Sequence, residues 1–325
     1  MPIHRDILDH GLGGVILFNR CLHNPDQTAN IVSPGQLKEL CTELQNLAPR
    51  TLLIGVDQEG GKVRRLWPEA GFEDLCSARQ MGSDTDDTAL TREQAQTTAA
   101  MLAELGINCN FAPVVDLNTN TSNPIIGTLE RSFSDDPLHV ARHAAAWIDA
   151  HRTRGVLSCV KHFPGHGSSA ADSHLGFVDI SENWERHELE PYRILLRQDM
   201  VDLVMTGHLF NRHLDTDHPA TLSAPIIDGL LRTELGYQGV VVSDDMQMKA
   251  ISDHYGFEEA VCRSLAAGVD MLVFGNNLDY GSDICPRAIK AMDDGLARGV
   301  LSEERLLRSL GRVNKLKERL GNDHD

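Results

Sequence analysis

The 325-residue chain has no apolar run close to the roughly 18 residues needed to span a bilayer, which excludes a transmembrane helix. It also lacks any cluster of basic residues: Lys and Arg number 30 against 47 for Asp and Glu, a formal net charge of −17. Nucleic acid and anionic membrane surfaces are therefore not expected partners. No apolar segment follows Met1-Pro2-Ile3-His4-Arg5-Asp6, so no secretory signal is read there and a cytoplasmic location is expected. The seven cysteines (Cys21, Cys41, Cys76, Cys109, Cys159, Cys262, Cys285) contain no CxxC pair. Scattered and odd in number, they read as reduced thiols, several of them small core hydrophobes, and not as disulfides or a zinc site. Linkers, internal repeats and low-complexity stretches are missing too, so residues 1–325 are expected to form one domain.

What is present is an alternation. Short apolar runs at 14–18, 51–56, 107–112, 156–162, 203–207, 239–243 and 271–275 read as buried strands. Between them lie amphipathic segments with recognisable ends. Ser33-Pro34 caps a helix running to about Leu47, Thr91 caps one that stops at Gly106, and Pro137 opens one that stops at Gly155. Further helices fit 181–198, 224–235, 257–267, 286–297 and 302–320. Strict alternation with a parallel sheet means α/β, and about eight such units close a (β/α)8 TIM barrel. Only seven strands can be counted. A first strand would precede Gly14, where the segment 1–10 is short and polar, so the barrel is expected to be closed there by something irregular or to stand open.

The densest chemistry lies in Lys161-His162-Phe163-Pro164-Gly165-His166-Gly167 and the following Asp172-Ser173-His174. The Pro-Gly and second glycine rule out a continuous helix. The segment leaves a buried strand, and polar titratable groups at such an exit suit a ligand. Asp172 and His174 are close enough for a carboxylate to orient and charge an imidazole, which makes a proton-transfer group. Other expected strand ends deliver Asp57-Gln58-Glu59, Asp116, Thr206-Gly207-His208, Ser243-Asp244-Asp245 and Asn276-Asn277 to the same rim, where a barrel places its active site. Any one of these could be a helix cap; together they are hard to explain as capping. A ring of donors and acceptors suits a polyhydroxylated ligand such as a sugar. A carboxylate with a separate proton donor suits cleavage of a glycosidic bond. Two competitors share the residues. His162, His166, His174 and Asp172 could ligate zinc, but their spacing is not HExxH and glycines keep them off a helix. Gly60-Gly61 and Gly165-His166-Gly167 could cradle phosphate, but match neither GxGxxG nor a P-loop.

The stretches GVDQEGGKVRRL (55–66), LERSF (129–133), KHFPGHG followed by DSH (161–174) and VVSDDMQMKAI (241–251) resemble family 3 glycoside hydrolases. They are most similar to the bacterial β-N-acetylglucosaminidase branch that acts in cell-wall recycling. The resemblance spans about residues 12 to 320 and implies a retaining mechanism without metal or cofactor. It puts the nucleophile on Asp244, the acid/base on His174 with Asp172 as its partner, and sugar binding on Asp57, Arg65, Arg131, Lys161 and His162. For Arg131 the competing reading is an ion pair with Glu130 or Asp135, and for Arg65 the neighbouring Arg64 is an alternative. The implied substrate is a small N-acetylglucosamine-containing sugar, a peptidoglycan-derived 1,6-anhydro-muropeptide. A phosphorylase of the same family stays open, because a histidine acid/base does not repel an incoming phosphate. A metal-dependent hydrolase and an inactive sugar-binding protein are the rivals from other classes.

Overall fold

The computed structural model describes residues 2–24, 26–27, 29–83, 87–171 and 176–321. Each expected strand is present: β1 (Gly14–Ile16), β2 (Leu53–Val56), β3 (Cys109–Asn110), β4 (Leu157–Phe163), β5 (Leu203–Thr206), β6 (Val240–Asp245) and β7 (Met271–Val273). They form one parallel sheet in sequence order, wound into a nearly closed barrel of the TIM type. A separate two-stranded parallel pair, Val178–Asp179 with Leu209–Phe210, stands outside it.

The period-2 alternation of strands sorts their side chains between two environments. Leu53, Cys109, Phe111, Leu157, Cys159, Leu203, Met205, Val240 and Val242 fill the barrel interior. Gly55 belongs to this layer and leaves room for Phe111, whose ring would lie 2.8 Å from a Cβ at that position. The alternate residues face outward. Ile54 and Val56 pack on Leu37, Cys41 and Leu102, and Val160, Val204 and Val241 on Trp147, Tyr192 and Leu231. Carried one step further, the inward phase of β2 reaches Asp57, and that of β4 reaches Lys161. The barrel interior thus ends at its C-terminal mouth in charge.

Two register shifts occur at this mouth. On β4, three steps from Val160 to Phe163 match two on β5, and on β6 three steps from Val242 to Asp245 match two on β7. An extra residue of this kind re-aims the side chains beside it. The first spans Lys161 and His162, and the second spans Ser243 and Asp244.

The opposite end is stoppered by the last helix, Glu303–Glu318. Its Leu316 enters the interior cluster. Arg312 and Ser309 reach Asp270 at 3.0 and 2.7 Å, Arg319 reaches Asp202 at 2.6 Å, and Lys317 donates to the Gly13 carbonyl at 2.7 Å. All three acceptors immediately precede strands.

The segment before Gly14 is a helix, Pro2–Leu8, whose Ile7 is wholly buried beside Leu37 and Cys41. Among the described residues no strand lies between β7 and β1, and these two edge strands are only half-buried where the inner strands are buried. Across the mouth of this seam, Asn277 Oδ1 accepts from the Leu22 amide and its backbone carbonyl accepts from the His23 amide, both at 2.9 Å.

Several helix ends differ from expectation. Thr91 is not a cap: it lies inside the helix Ala89–Glu104, buried, with its hydroxyl 2.6 Å from His143 Nδ1. The expected helix over 181–198 begins as a turn and a 3-10 segment, Arg186–Leu189, before Glu190–Arg197. The one expected over 224–235 is a π-helix, Pro225–Glu234. Ser33 caps as expected, accepting from the Gln36 amide at 3.3 Å.

Candidate active site

After β2 the chain reverses at Gly60 and Gly61, both in the left-handed region; a Cβ on Gly60 would meet the Cys76 carbonyl oxygen at 2.1 Å. Buried Gln58 fixes the returning strand, its Oε1 accepting from the Arg65 and Leu66 amides at 3.0 Å. Arg65 is thereby returned to Asp57, with Nη2 3.1 Å from Oδ2. Arg64 points away, pairing with Asp74 and stacking on Trp67 at 4.6 Å. Of the two adjacent arginines, Arg65 is the one at the mouth.

Lys161, 2% exposed, places Nζ 2.9 Å from Asp57 Oδ1 and 2.7 Å from Glu59 Oε1. Arg131 does not pair with Glu130 or Asp135. Its Nε and Nη2 donate to the two oxygens of Glu59 at 2.7 and 2.8 Å. Its Nη2 also lies 3.3 Å from His162 Nε2. On the far side of that ring, Nδ1 is 2.7 Å from Asp116 Oδ2. Asp116 further accepts from the backbone amides of His162 and His166, at 3.2 and 2.8 Å. The rim therefore holds one connected array, Arg65, Asp57, Lys161, Glu59, Arg131, His162 and Asp116. It brings together all five residues expected to bind sugar.

The electrostatics follow from burial and pairing. Burial by itself would raise the Asp57 carboxyl, but Lys161 and Arg65 outweigh it and hold Asp57 well below the usual carboxylate range. Glu59 is likewise pushed up by burial and pulled down by Arg131 and Lys161, to about 2. For Lys161 burial disfavours the charge, while Asp57 and Glu59 more than restore it. Asp57, Glu59, Lys161 and Arg131 are thus ionised near neutrality, with their charges fixed before a ligand arrives.

At the end of β6, Asp245 and Ser243 are used in holding the chain. Asp245 Oδ1 accepts from the Gly275 and Gln247 amides at 3.0 Å, and Ser243 Oγ from the Val273 amide at 3.0 Å. Asp244, half-buried between them, accepts from the Asp245 amide at 2.8 Å. His208, at the end of β5, is buried, with Nδ1 2.8 Å from Thr221 Oγ1 and Nε2 donating to the Asp245 carbonyl at 2.9 Å. It supports the strand end that carries Asp244. Asp172 and His174 lie outside the described residues.

Sequence reasoning missed Glu59 as a member of the array, although it sits two residues beyond Asp57 and so follows the same inward phase. It noted Asp116 as a carboxylate without finding its partner.

Both ring nitrogens of His162 are engaged by protein. Arg131 can only donate to Nε2, so Nδ1 carries the proton toward Asp116 and the ring offers a metal no lone pair. Among the described residues, the side chains that could converge on a cation are Asp215, Asp217 and His218, none of which belongs to this array. There His218 Nε2 accepts from Arg263 at 2.9 Å, which leaves Nδ1, the nitrogen nearest Asp215, protonated. A cleft of about 670 Å³ lined by Leu222, Cys262, Arg263 and Arg298 also contains none of the array.

The family "Glycosyl hydrolase family 3 N terminal domain" matches residues 2–316. Beta-hexosaminidase A of Pseudoalteromonas piscicida is 34% identical over 329 residues, covering 96% of this chain and 54% of that protein. Beta-hexosaminidase LpqI of Mycobacterium tuberculosis is 37% identical over 319 residues, covering 96% of this chain and 77% of the relative. The solved structure of a family 3 β-N-acetylglucosaminidase from Paenibacillus superposes with a TM-score of 0.88 at 37% identity, over 100% of this chain and 60% of the other. The chain thus spans about half the length of the first relative and three fifths of the solved one.

Proposed function

Because the chain belongs to the glycosyl hydrolase family 3 N-terminal-domain family, we propose that it is a retaining exo-β-N-acetylhexosaminidase that removes a terminal N-acetylglucosamine. The observation that supports this best is the connected array of Asp57, Lys161, Arg65, Arg131 and His162 on the same strand-end rim as Asp244. Asp57 accepts hydrogen bonds from two hydroxyls of the non-reducing sugar. Lys161, Arg65 and Arg131, fixed by their carboxylates, donate to others. One face of the sugar is thereby held while C1 is presented to β6.

In the reaction, Asp244 attacks C1 as the bond to the leaving oxygen breaks, and that oxygen takes a proton from the His174 imidazolium. A glycosyl ester results. Water then attacks C1, the now neutral imidazole removes its proton, and Asp244 departs. Asp172 orients the imidazole and favours its protonated form before the first step. No step needs a metal or cofactor. The natural substrate in this reading is a 1,6-anhydro-muropeptide derived from peptidoglycan, processed in the cytoplasm so that its sugars are reused. The acidic chain suits a small diffusing substrate.

The test is hydrolysis of 4-nitrophenyl N-acetyl-β-D-glucosaminide, with the glucoside as control, in chelator and with or without phosphate. Cleavage of the N-acetyl substrate alone, indifferent to chelator and phosphate, is expected. A sugar 1-phosphate product would turn the reading to a phosphorylase, loss of activity in chelator to a metal-dependent hydrolase, and binding without cleavage to an inactive sugar-binding protein.

A further inference from the structure

The segment Gly165–His166–Gly167–Ser168–Ser169 runs directly toward Asp172 and His174 in sequence, and the protein holds it with an unusual number of buried polar groups. Asn123, wholly buried, donates through Nδ2 to the His166 and Gly167 carbonyls at 2.7 and 3.0 Å, and its Oδ1 accepts from the Ile125 and Ile126 amides. Asp116 takes the His166 amide at 2.8 Å. Trp184 Nε1 donates to the Pro164 carbonyl at 3.1 Å. A Cβ on Gly167 would lie 1.8 Å from the Leu117 carbonyl oxygen, so the backbone is seated against the loop after β3.

From the remaining side comes Glu188, on the short 3-10 segment Arg186–Leu189. It is 1% exposed. Its Oε2 accepts from the Gly167 amide at 3.1 Å, and its Cβ lies where a Cβ on Gly165 would come within 2.8 Å. Its other oxygen has no hydrogen-bond partner among the described residues. A buried glutamate with no cation paired to it among the described residues is costly.

We propose that Glu188 is a positioning residue for proton donation: it holds the base of the 165–169 segment from behind and thereby sets where the following acid/base can act. This rests on the hydrolase reading above. Burial, with Asp116 adding to it, outweighs the Ser168 and Gly167 donors that face the carboxylate and pushes Glu188 up to about 7. Near neutrality the Gly167 amide is therefore held by an acceptor that need not be charged. A glutamine, which keeps one carbonyl acceptor in the same place, should serve.

The experiment compares Glu188→Ala, Glu188→Gln and wild type on two substrates. N,N′-diacetylchitobiose has a poor leaving group that needs a proton, and the 2,4-dinitrophenyl N-acetyl-β-glucosaminide has a good one that does not. Glu188→Ala should lose about 10²-fold in kcat/KM on the disaccharide and stay within about threefold on the dinitrophenyl glycoside. Glu188→Gln should match wild type on both. Equal losses on the two substrates, or no loss on either, would overturn the proposal. Hydrogen exchange at the Gly167 amide reads the same contact without activity. It should quicken about tenfold or more in Glu188→Ala, with Val204 in β5 unchanged, and an unchanged Gly167 rate would also overturn the proposal. If wild type cleaves neither substrate, the hydrolase reading has failed and the exchange result alone decides whether Glu188 holds the segment.

Discussion

Glu59 holds Arg131 through both carboxylate oxygens, at 2.7 and 2.8 Å, and uses Oε1 again for Lys161 at 2.7 Å. The glutamate is 5% exposed at its side chain and the lysine 2%. Two cations that would repel each other are thereby kept side by side at the mouth of the barrel.

Removing that carboxylate leaves two buried cations with only Asp57 between them. Glu59→Ala is expected to cost about 3–5 kcal/mol of stability, the usual consequence of breaking a buried pair from one side. Denaturant unfolding checks this. Glu59→Gln, which keeps the shape and loses the charge, should fold more stably than Glu59→Ala while its KM still rises. An unchanged KM would mean that Arg131 and Lys161 do not depend on Glu59 for their placement.

Asp57→Asn keeps one acceptor and loses the charge that Lys161 and Arg65 compensate. A hydrogen bond to a charged group contributes about 1.5–3 kcal/mol. The expected fall in kcat/KM is therefore roughly 10- to 150-fold on the N-acetyl-β-glucosaminide, with the fold intact by circular dichroism.

Asp244→Ala should abolish turnover by on the order of 10⁴-fold or more while leaving the thermal midpoint near wild type. Added azide can then attack C1 in place of the carboxylate. On a dinitrophenyl substrate it should restore cleavage and yield the α-glycosyl azide, detectable by NMR. Recovery of a β-azide, or no rescue with undiminished residual hydrolysis, would argue against a covalent step at this residue.

Two buried glutamates should shape the pH dependence of stability with opposite signs. Glu59 titrates at about 2 in the fold and 4.5 in the free side chain, so its contribution is present above 4.5 and is lost as pH falls toward 2. Glu188 titrates at about 7 against 4.5, so its contribution is present below 4.5 and is lost as pH rises through 7. The thermal midpoint of wild type should therefore fall on both flanks. Glu188→Gln should flatten the fall between pH 5 and 8, and Glu59→Gln the fall between pH 5 and 2. Parallel curves for variant and wild type in those windows would contradict the assignment.

The strands were legible because a buried parallel strand is a short continuous apolar run, and each run lies between helical patterns. Their lengths were less so. β3 was expected over 107–112 and is regular only at Cys109–Asn110; single backbone bonds continue at Asn108, Phe111 and Ala112, and side chains take over part of the ladder. Asn108 bonds the Ile54 amide and the Leu52 carbonyl, and Asn110 the Gln58 amide and carbonyl. The residues proposed to face the sugar could be carried onto the sequence because their motifs are long. The partners that fix them, Glu59 for Arg131 and Asp116 for His162, are 72 and 46 residues away, and no local pattern announces such pairings. Thr91 misled because a threonine ahead of a helical pattern reads as a cap, whereas its hydroxyl is needed inside the core by His143.

The seam between β7 and β1 is fastened below, where Arg312 meets Asp270 and Lys317 meets Gly13, and above, where Asn277 meets Leu22 and His23. Between those fastenings the two edges carry no ladder to each other. A wall secured at top and bottom but unlaced along its height gives way first in the middle. Thermal breathing of this barrel should therefore begin at Val15 and Leu272, on the side away from Lys161, and the charged mouth should keep its shape while the flank loosens.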